Sequence, residues 1–472
     1  MVSTIEMKEA AYVGPPGVPT AEKMLGPSLQ INSVYVRFQG LKRISPHSLV
    51  GECSALAGVR TLGGVEHALN DALVRLHELE LLKSVQTELS LDQNGTVTVD
   101  FVVEEKKREC TVSGNVDKKG QMTCDLRVVQ PAALGGTLSA MASVGSTASG
   151  AQDFLLRLST PRFLAQRCSW SLDLARSATD EREASSYSER VTHAVMKLTN
   201  PTGKHSIFVE AALRSLFPAD RGLRVPSAEV LQARLDSVKT SLSYTYAWVG
   251  AAPSVLRLYG GPACMRGNIE AAGLLGDVNF LRGETYAGAT WCLPWRLRWQ
   301  VASWCGLLWP FRQKQNCLQD RFFLGGSTGS SSVFKGFAHR GLGPMGFCET
   351  RDPANPPNQL TDALGGDAVA SAYSAISIPC PIPLSLGGVS IDSSLFAFVG
   401  VGGLAQHQLG LKSGTRILQD LRTSVRASAG AGLALPMAGL GSLELTFAQP
   451  FQAHHHDIQQ RWQIGLRFDV KG

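Results

Sequence analysis

At 472 residues the chain is too long for one ordinary hydrophobic core, yet its 18% of charged residues falls below the roughly 25% of a typical soluble domain. Glycine, at 48 residues, takes up the difference, and the net charge of +6 is spread without a basic block, which argues against a nucleic-acid partner. Uncharged apolar runs long enough for a spanning helix are missing, but a membrane barrel hides its apolar residues at every second position and is not excluded.

The ten cysteines are scattered without a Cys-x-x-Cys pair, so they signal neither a zinc ribbon nor a disulfide framework and read as small apolar fillers. The opening residues show neither a secretory signal nor an Arg-rich amphipathic presequence, and neither is expected. Residues 1–27 carry Gly14, Pro15, Pro16, Gly17, Pro19, Gly26 and Pro27 and are expected to form a disordered tail.

From Leu29 the texture changes. Ile31–Phe38 predicts a short strand, and Ser45-Pro46 a helix start with proline at its first position. A second helix follows from Leu69, Leu73, Leu76 and Leu79 at three- and four-residue spacing. Val85–Leu91 and Val97–Val103 then make a hairpin around Asn94-Gly95. Strand, helix, helix, strand, strand is a compact domain over residues 28–105. Its edge strand Ile31–Phe38 could receive an extended peptide or brace whatever follows.

Residues 106–472 are dominated by period two. Leu242, Tyr244, Tyr246 and Trp248 share one face against Ser241, Ser243, Thr245 and Ala247. The same division recurs in Gln121–Val129, Ser169–Ala175 and Ser442–Ala448, the last setting Leu443, Leu445 and Phe447 against Ser442, Glu444 and Thr446. About sixteen such segments occur, commonly about ten residues long, the length a tilted strand needs to cross the hydrocarbon layer. A soluble sandwich also alternates, but here Trp and Tyr lie near strand ends and the opposite faces carry Arg, Asp and Glu, as a barrel with lipid outside and water inside requires. The first segment, Cys110-Thr111-Val112-Ser113-Gly114-Asn115, is short and poor in apolar residues, with Asp117-Lys118-Lys119 just after it. Trp291, Trp295, Trp299, Trp304 and Trp309 read as an interfacial belt rather than a ligand platform.

Residues 311–363 interrupt the pattern, and a loop of about 50 residues without regular elements is functional or disordered. Within it, Asp320–Pro344 is rich in glycine and serine yet carries Phe322-Phe323 and then Phe334-Lys335-Gly336-Phe337. The final segment, Arg461–Val470, points Trp462, Ile464, Leu466, Phe468 and Val470 outward and Arg461, Gln463, Gly465, Arg467 and Asp469 inward. His454-His455-His456 beside Asp457 reads as a solvated turn rather than a metal site, because no further ligand lies nearby in sequence. Neither a nucleophile elbow nor a paired-carboxylate motif is present, so no enzymatic activity and no cofactor are expected.

Taken in order, Arg321-Phe322-Phe323-Leu324-Gly325-Gly326, Phe334-Lys335-Gly336-Phe337, Gly341-Leu342-Gly343-Pro344 and Leu364-Gly365-Gly366-Asp367 resemble the outer-membrane barrel-assembly superfamily, as does Gly276–Phe280. More narrowly, they resemble the central barrel of the mitochondrial sorting and assembly machinery. That resemblance implies a mainly β protein: one small α+β polypeptide-transport-associated domain, then a sixteen-stranded antiparallel transmembrane β-barrel whose hallmark loop joins the eleventh and twelfth strands. It also implies an insertase of the mitochondrial outer membrane, with the N-terminal domain in the intermembrane space. The partners implied are unfolded β-barrel precursors, accessory subunits of an assembly complex and membrane lipids. Gln463, Gly465, Phe468 and Val470 match the polar, glycine and hydrophobic positions of that family's sorting signal, and they equally suit a good closing strand.

Where relatives have Arg-Gly-Phe in the loop, this chain has Lys335, which lacks the guanidinium fork, and Ser330-Ser331-Ser332 belong to a short insertion. The loop is therefore expected to anchor more loosely, with Phe334, Lys335, Gly336 and Phe337 meeting the wall at Gly366 and Asp367 and Lys335 pairing with Asp367; the alternative is a solvated lysine. A lateral gate between the first and last strands is the expected working edge. The rival readings are a passive outer-membrane pore and a plastid or bacterial barrel-assembly relative.

Overall fold

The computed structural model describes residues 30–467 apart from 93, 117–121, 148–151, 164–167, 220–223, 234, 255–258, 312–316, 327–333, 351–360, 381–383, 387–388, 392, 407–413 and 438–440. The chain divides into two compact units: Met1–Thr111 with Arg127–Ala142 and Leu156–Leu172, and the remainder.

In the first unit, strands β1 (Ser33–Gln39), β2 (Leu82–Leu91) and β3 (Thr96–Glu105) form a sheet with β3 in the centre, parallel to β1 and antiparallel to β2. Two helices lie between β1 and β2 in sequence: α1 (Pro46–Val50), with Pro46 in its first turn, and α2 (Leu62–Glu78). Thr61 caps α2 by accepting from the Gly64 N–H at 3.3 Å, which satisfies one of the donors a helix start leaves free. The three- and four-residue spacing buries Val65, Leu69, Ala72 and Leu76 in one core with Val97, Val99, Phe101 and Val103, the alternate residues of β3. At the expected hairpin, Gly95 takes φ +69° and the Asp92 N–H reaches the Thr96 carbonyl at 2.9 Å.

Glu105 ends β3 by accepting the backbone N–H groups of Lys42, Arg43 and Ile44 at 2.8, 2.8 and 2.9 Å. Burial pushes its carboxyl up, but these three donors and the Arg43 guanidinium outweigh that and hold it below the usual carboxylate range. Cys53 is the apolar filler expected of it, since burial pushes its thiol up to about 12.

The second sheet has 16 strands in sequence order, from Glu109–Val116 at one end to Trp462–Arg467 at the other, and its described ladders are antiparallel between sequence neighbours. Its polarity is inverted. On Asp236–Ala251, Leu242 is 46% exposed while Ser241 is 1% exposed. On Gly441–Gln452, Leu445 and Phe447 are exposed while Glu444 and Thr446 are buried. A sheet that turns its apolar set outward and its polar set inward is stable only where the outer solvent is hydrocarbon, as in a transmembrane barrel. Among the described residues no helix is long and apolar enough to cross a membrane; the strands perform that role.

Gly276–Phe280 makes the turn before the tenth strand, Phe280–Cys292, where the Asp277 N–H meets the Val238 carbonyl at 2.9 Å and the Asp277 carboxylate accepts the Val238 N–H at 3.1 Å. One expectation is corrected by strand parity. On the eleventh strand, Arg298–Pro310, Trp299 and Trp309 sit at odd positions, but Trp304 is even, is 5% exposed and faces inward rather than joining the interfacial belt.

Candidate functional site

Trp304, turned inward by its place on the strand, meets the loop between the eleventh strand and the twelfth, Ala368–Pro379: the Phe322 ring stands edge-on to its indole at 5.7 Å. The loop therefore falls at the expected place in the strand order. Its entry is fixed by charge and backbone together. Arg214 grips Asp320 with both guanidinium nitrogens, at 2.7 and 3.1 Å, and both side chains are buried. Such a fork offsets much of the desolvation cost because each charge keeps its hydrogen bonds. Two residues on, Phe322 exchanges backbone hydrogen bonds with Gly366 at 2.8 and 2.9 Å, while the Arg282 guanidinium lies 4.5 Å from the Phe322 ring centre.

The second anchor is Phe334–Phe337. Phe334 and Phe337 are buried, with ring centres 5.6 Å apart, and Phe334 lies against Gly402, where an added Cβ would come within 2.9 Å of its ring. Between them Lys335 forms a buried ion pair with Glu444, reaches Thr446 at 3.5 Å and lies 4.4 Å from the Phe396 ring centre. Ser428 donates to the Lys335 carbonyl at 2.6 Å. Gly336 adopts φ +95° and brings the backbone so close to the wall that a Cβ would sit 3.2 Å from Ser428.

That close approach presents one stretch of loop backbone to the last strand. The Gly336 N–H donates to Gln463 Oε1 at 3.0 Å, and Gln463 Nε2 donates to the Phe337 carbonyl at 2.7 Å. The preceding turn continues the contact. Gln460 N–H donates to the Gly336 carbonyl, Ala338 N–H to Ile458 and Ile458 N–H to Gly341, at 2.9 to 3.0 Å. The loop is thus laced to the hairpin joining the fifteenth and sixteenth strands. Asp457 holds the turn itself, accepting both Arg426 nitrogens at 3.0 Å and the His454 N–H at 2.6 Å. Asp457 is thereby taken up in the hydrogen bonds of the turn; among the described residues no group of three or more His, Cys, Asp or Glu is placed to hold a metal ion.

Two sequence expectations are corrected here. Lys335 does not meet Asp367. Its partner Glu444 faces Ala434, which faces Ser394, which faces Pro379 across successive ladders. Asp367 lies just beyond the opposite end of the 12-residue strand that finishes at Pro379, roughly 40 Å of strand away. Asp367 instead has Arg321 at 4.0 Å and gives its backbone to the sheet, its carbonyl accepting from Leu308 at 2.7 Å and its N–H donating to Ala405 at 2.9 Å. Nor is Lys335 loosely held: a carboxylate, a hydroxyl and the Phe396 and Phe398 rings surround its ammonium, so a compact cation finds by enclosure what a guanidinium finds by its fork. Ser330–Ser332 lie outside the described residues.

The remaining positions fall as follows. Cys110–Asn115 lie on the first strand, with Cys110, Thr111 and Val112 exposed and Ser113 half-buried; Gly114 and Asn115 are placed by backbone alone. On the last strand Gln463 and Gly465 are buried and Trp462 and Ile464 exposed, the parity expected; Phe468 and Val470 lie outside the described residues. Glu444 and Asp320 were missed as anchors. Parity alone put Glu444 on the inward face, but only the loop's path shows what it meets.

Comparison with known proteins agrees with this architecture. The model of the Omp85 superfamily domain matches residues 134–468. The chain is similar to Sorting and assembly machinery component 50 homolog B of Xenopus laevis, 29% identical over 236 residues, covering 50% of this chain and 46% of that protein. It is likewise similar to the Homo sapiens Sorting and assembly machinery component 50 homolog, 27% identical over 228 residues, 48% of this chain and 44% of that one. It thus spans about half the length of the curated relatives it matches. Among solved structures, BamA from Haemophilus ducreyi lacking POTRA domains 1–3 matches with a TM-score of 0.70 and 17% identity, over 91% of this chain and 82% of that one, which shows a common fold.

Proposed function

The chain belongs to the Omp85 superfamily, and from that premise we propose that it is an insertase that folds β-barrel precursors into the mitochondrial outer membrane by adding their strands at a lateral gate. The carrying observation is that the first strand, Glu109–Val116, and the last, Trp462–Arg467, are the two ends of the hydrogen-bonded order. A strand entering hydrocarbon must pair its backbone groups, each costing several kcal/mol if left unsatisfied, so a sheet that can open offers a template. The first strand is poor in apolar residues and carries Gly114, which suits a seam that pairs weakly. No bond chemistry is needed.

The similarity to Sorting and assembly machinery component 50 homologues supports the mitochondrial membrane over a plastid or bacterial one, with the N-terminal domain in the intermembrane space and accessory subunits of an assembly complex as partners. A passive pore is the less suitable reading, since it has no use for a loop that buries Phe322, Phe334 and Phe337 against the inner wall. Cysteine pairs introduced along the first and last strands, in a chain whose exposed native cysteines are serine, test the gate. Oxidation should stop insertion of a labelled barrel precursor into liposomes and reduction should restore it. Insertion at the unlocked rate through a locked seam would refute the proposal, and ion conductance without any insertion would favour the pore.

A further inference from the structure

We infer that the turn at residues 273–279, between the ninth strand, Tyr259–Ala272, and the tenth, is a lipid-inserting finger that folds back over the outer face of the eighth strand and lays Leu274 and Leu275 among acyl chains. Both leucines are 75% exposed, whereas the far end of the turn lies inside, with Val278 and Phe280 buried in the cluster around Trp304 and Phe322. Exposure alone does not identify the solvent of a leucine. The backbone beneath this pair does. On the eighth strand the even positions point outward, Val238, Leu242 and Tyr244 being exposed and Ser237, Lys239 and Ser241 buried. Thr240 therefore presents its hydroxyl to the outer face, where it accepts the Leu275 N–H at 2.8 Å and donates to the Leu275 carbonyl. The Gly273 N–H reaches the Thr240 carbonyl at 3.0 Å. Asp277 closes the turn on Val238, giving its N–H to that carbonyl at 2.9 Å and taking the Val238 N–H on its carboxylate at 3.1 Å.

These bonds prepare the turn for a solvent without hydrogen bonds. An outward hydroxyl and a loose peptide group are each poorly tolerated in hydrocarbon, and here each satisfies the other. Gly276, at φ +107°, permits the close fold-back, since a Cβ there would meet the Val238 carbonyl oxygen at 2.4 Å. The one ionisable side chain of the turn, Asp277, is held on the Val238 N–H, so what the finger offers outward is carbon, continuous with the exposed Leu242 and Tyr244. That chemistry fits phospholipid acyl chains rather than headgroups or a charged protein surface. The level fits as well. The Phe311 N–H donates to the Asn279 carbonyl at 3.1 Å, which sets the turn at the end of the sheet where the long loop begins. From there the tenth strand runs 13 residues, more than the about 9–11 that cross the hydrocarbon layer, to the outward pair of Trp291 and Trp299, whose ring centres lie 5.1 Å apart. The turn thus sits at the boundary of that layer. The ninth and tenth strands are also the middle of the strand order, farthest from its two ends, so the finger fastens to the bilayer the part of the sheet that a seam at those ends does not involve.

The test uses the full chain in lipid nanodiscs, with its exposed native cysteines changed to serine and one nitroxide at a time attached through Leu274→Cys, Leu275→Cys, Leu242→Cys or Val74→Cys. Folding of each is checked by heat-dependent gel mobility. Collision of the label with oxygen, which concentrates among acyl chains, is compared with collision with a water-soluble nickel chelate. The oxygen-to-nickel ratio at 274 and 275 should match that at 242, on the lipid-facing strand, and exceed that at 74, on the exposed face of α2. A ratio like that at 74 would overturn the finger, and so would shielding from both reagents, which marks a protein contact. Thr240→Val keeps an apolar outward side chain and removes the hydroxyl. It should make the label at 275 more mobile and lower its ratio, and an unchanged spectrum would overturn the part given to Thr240. The measurement needs no client, so its outcome is independent of strand addition.

Discussion

The central strand of the N-terminal sheet and the eighth strand of the large one, Asp236–Ala251, alternate in the same way and resolve in opposite senses. In β3 the apolar set, Val97, Val99, Phe101 and Val103, is buried with α2. In the eighth strand the apolar set is turned out, with Leu242 and Tyr244 exposed, while Ser241 and the Lys239 ammonium are buried, the latter between Glu210 at 3.2 Å and Glu270 at 2.6 Å. Period two therefore states only that a strand has two unlike faces. Which face is the interior depends on the solvent, and the ionic residues on the polar face mark the difference, because a soluble domain would leave them in water.

The sharpest way to break that contrast is to strand a charge in the interior. Asp320→Ala leaves Arg214 buried without its carboxylate, and the folded barrel should lose about 3–5 kcal/mol, read as an earlier loss of its compact gel band on heating. In the N-terminal unit Lys83 pairs with Glu104 at 2.9 Å with both side chains largely exposed, and Lys83→Ala should leave unfolding unchanged within error. A charge placed on the outside comes next. Leu242→Arg puts a guanidinium into hydrocarbon and should cost about 2–4 kcal/mol in lipid, whereas Val74→Arg, on an exposed face of α2, should stay within about 0.5 kcal/mol. Equal effects for these two would mean that the exposed face of the sheet meets water.

Backbone strain separates the two regions less. Gly336 and Gly95 both have positive φ, at +95° and +69°, so alanine at either should cost about 1–2 kcal/mol. The cost at Gly336 should lie at the upper end, since its Cβ would press on wall side chains from three residues, while at Gly95 it meets the flexible Asn32 side chain. Loss of client insertion with Gly336→Ala but not with Gly95→Ala would tie the difference to the loop.

Sequence periodicity carried the strand count and the inward or outward sense of Leu242, Gln463 and Glu444, because each depends only on local spacing. It also placed the loop between the eleventh and twelfth strands. What it could not supply was the loop's seat. Lys335 could reach any acid on an inward face, and the nearest in the familiar motif, Asp367, lies roughly 40 Å of strand from Glu444, a separation fixed by ladder registers that no local pattern encodes. Trp304 failed for the opposite reason: residue type suggested a belt, whereas its even position on Arg298–Pro310 already placed it inside.

The smallest effect concerns Glu105, where the N-terminal unit uses a carboxylate to collect backbone donors, as an interior facing water can. Because its carboxyl is held below the usual range in the folded chain, its contribution is present above the unfolded value of about 4.3 and is lost as the pH falls through the folded one. Glu105→Gln keeps the shape and one acceptor but removes the charge. At pH 7 the amides of Lys42, Arg43 and Ile44 should then exchange with deuterium about fivefold faster than in the parent, corresponding to about 1 kcal/mol. Below the folded pKa the parent's own carboxyl is protonated, so the two proteins should exchange alike when compared at the same acidic pH. A gap that persisted there would show that geometry, rather than charge, makes Glu105 hold this turn.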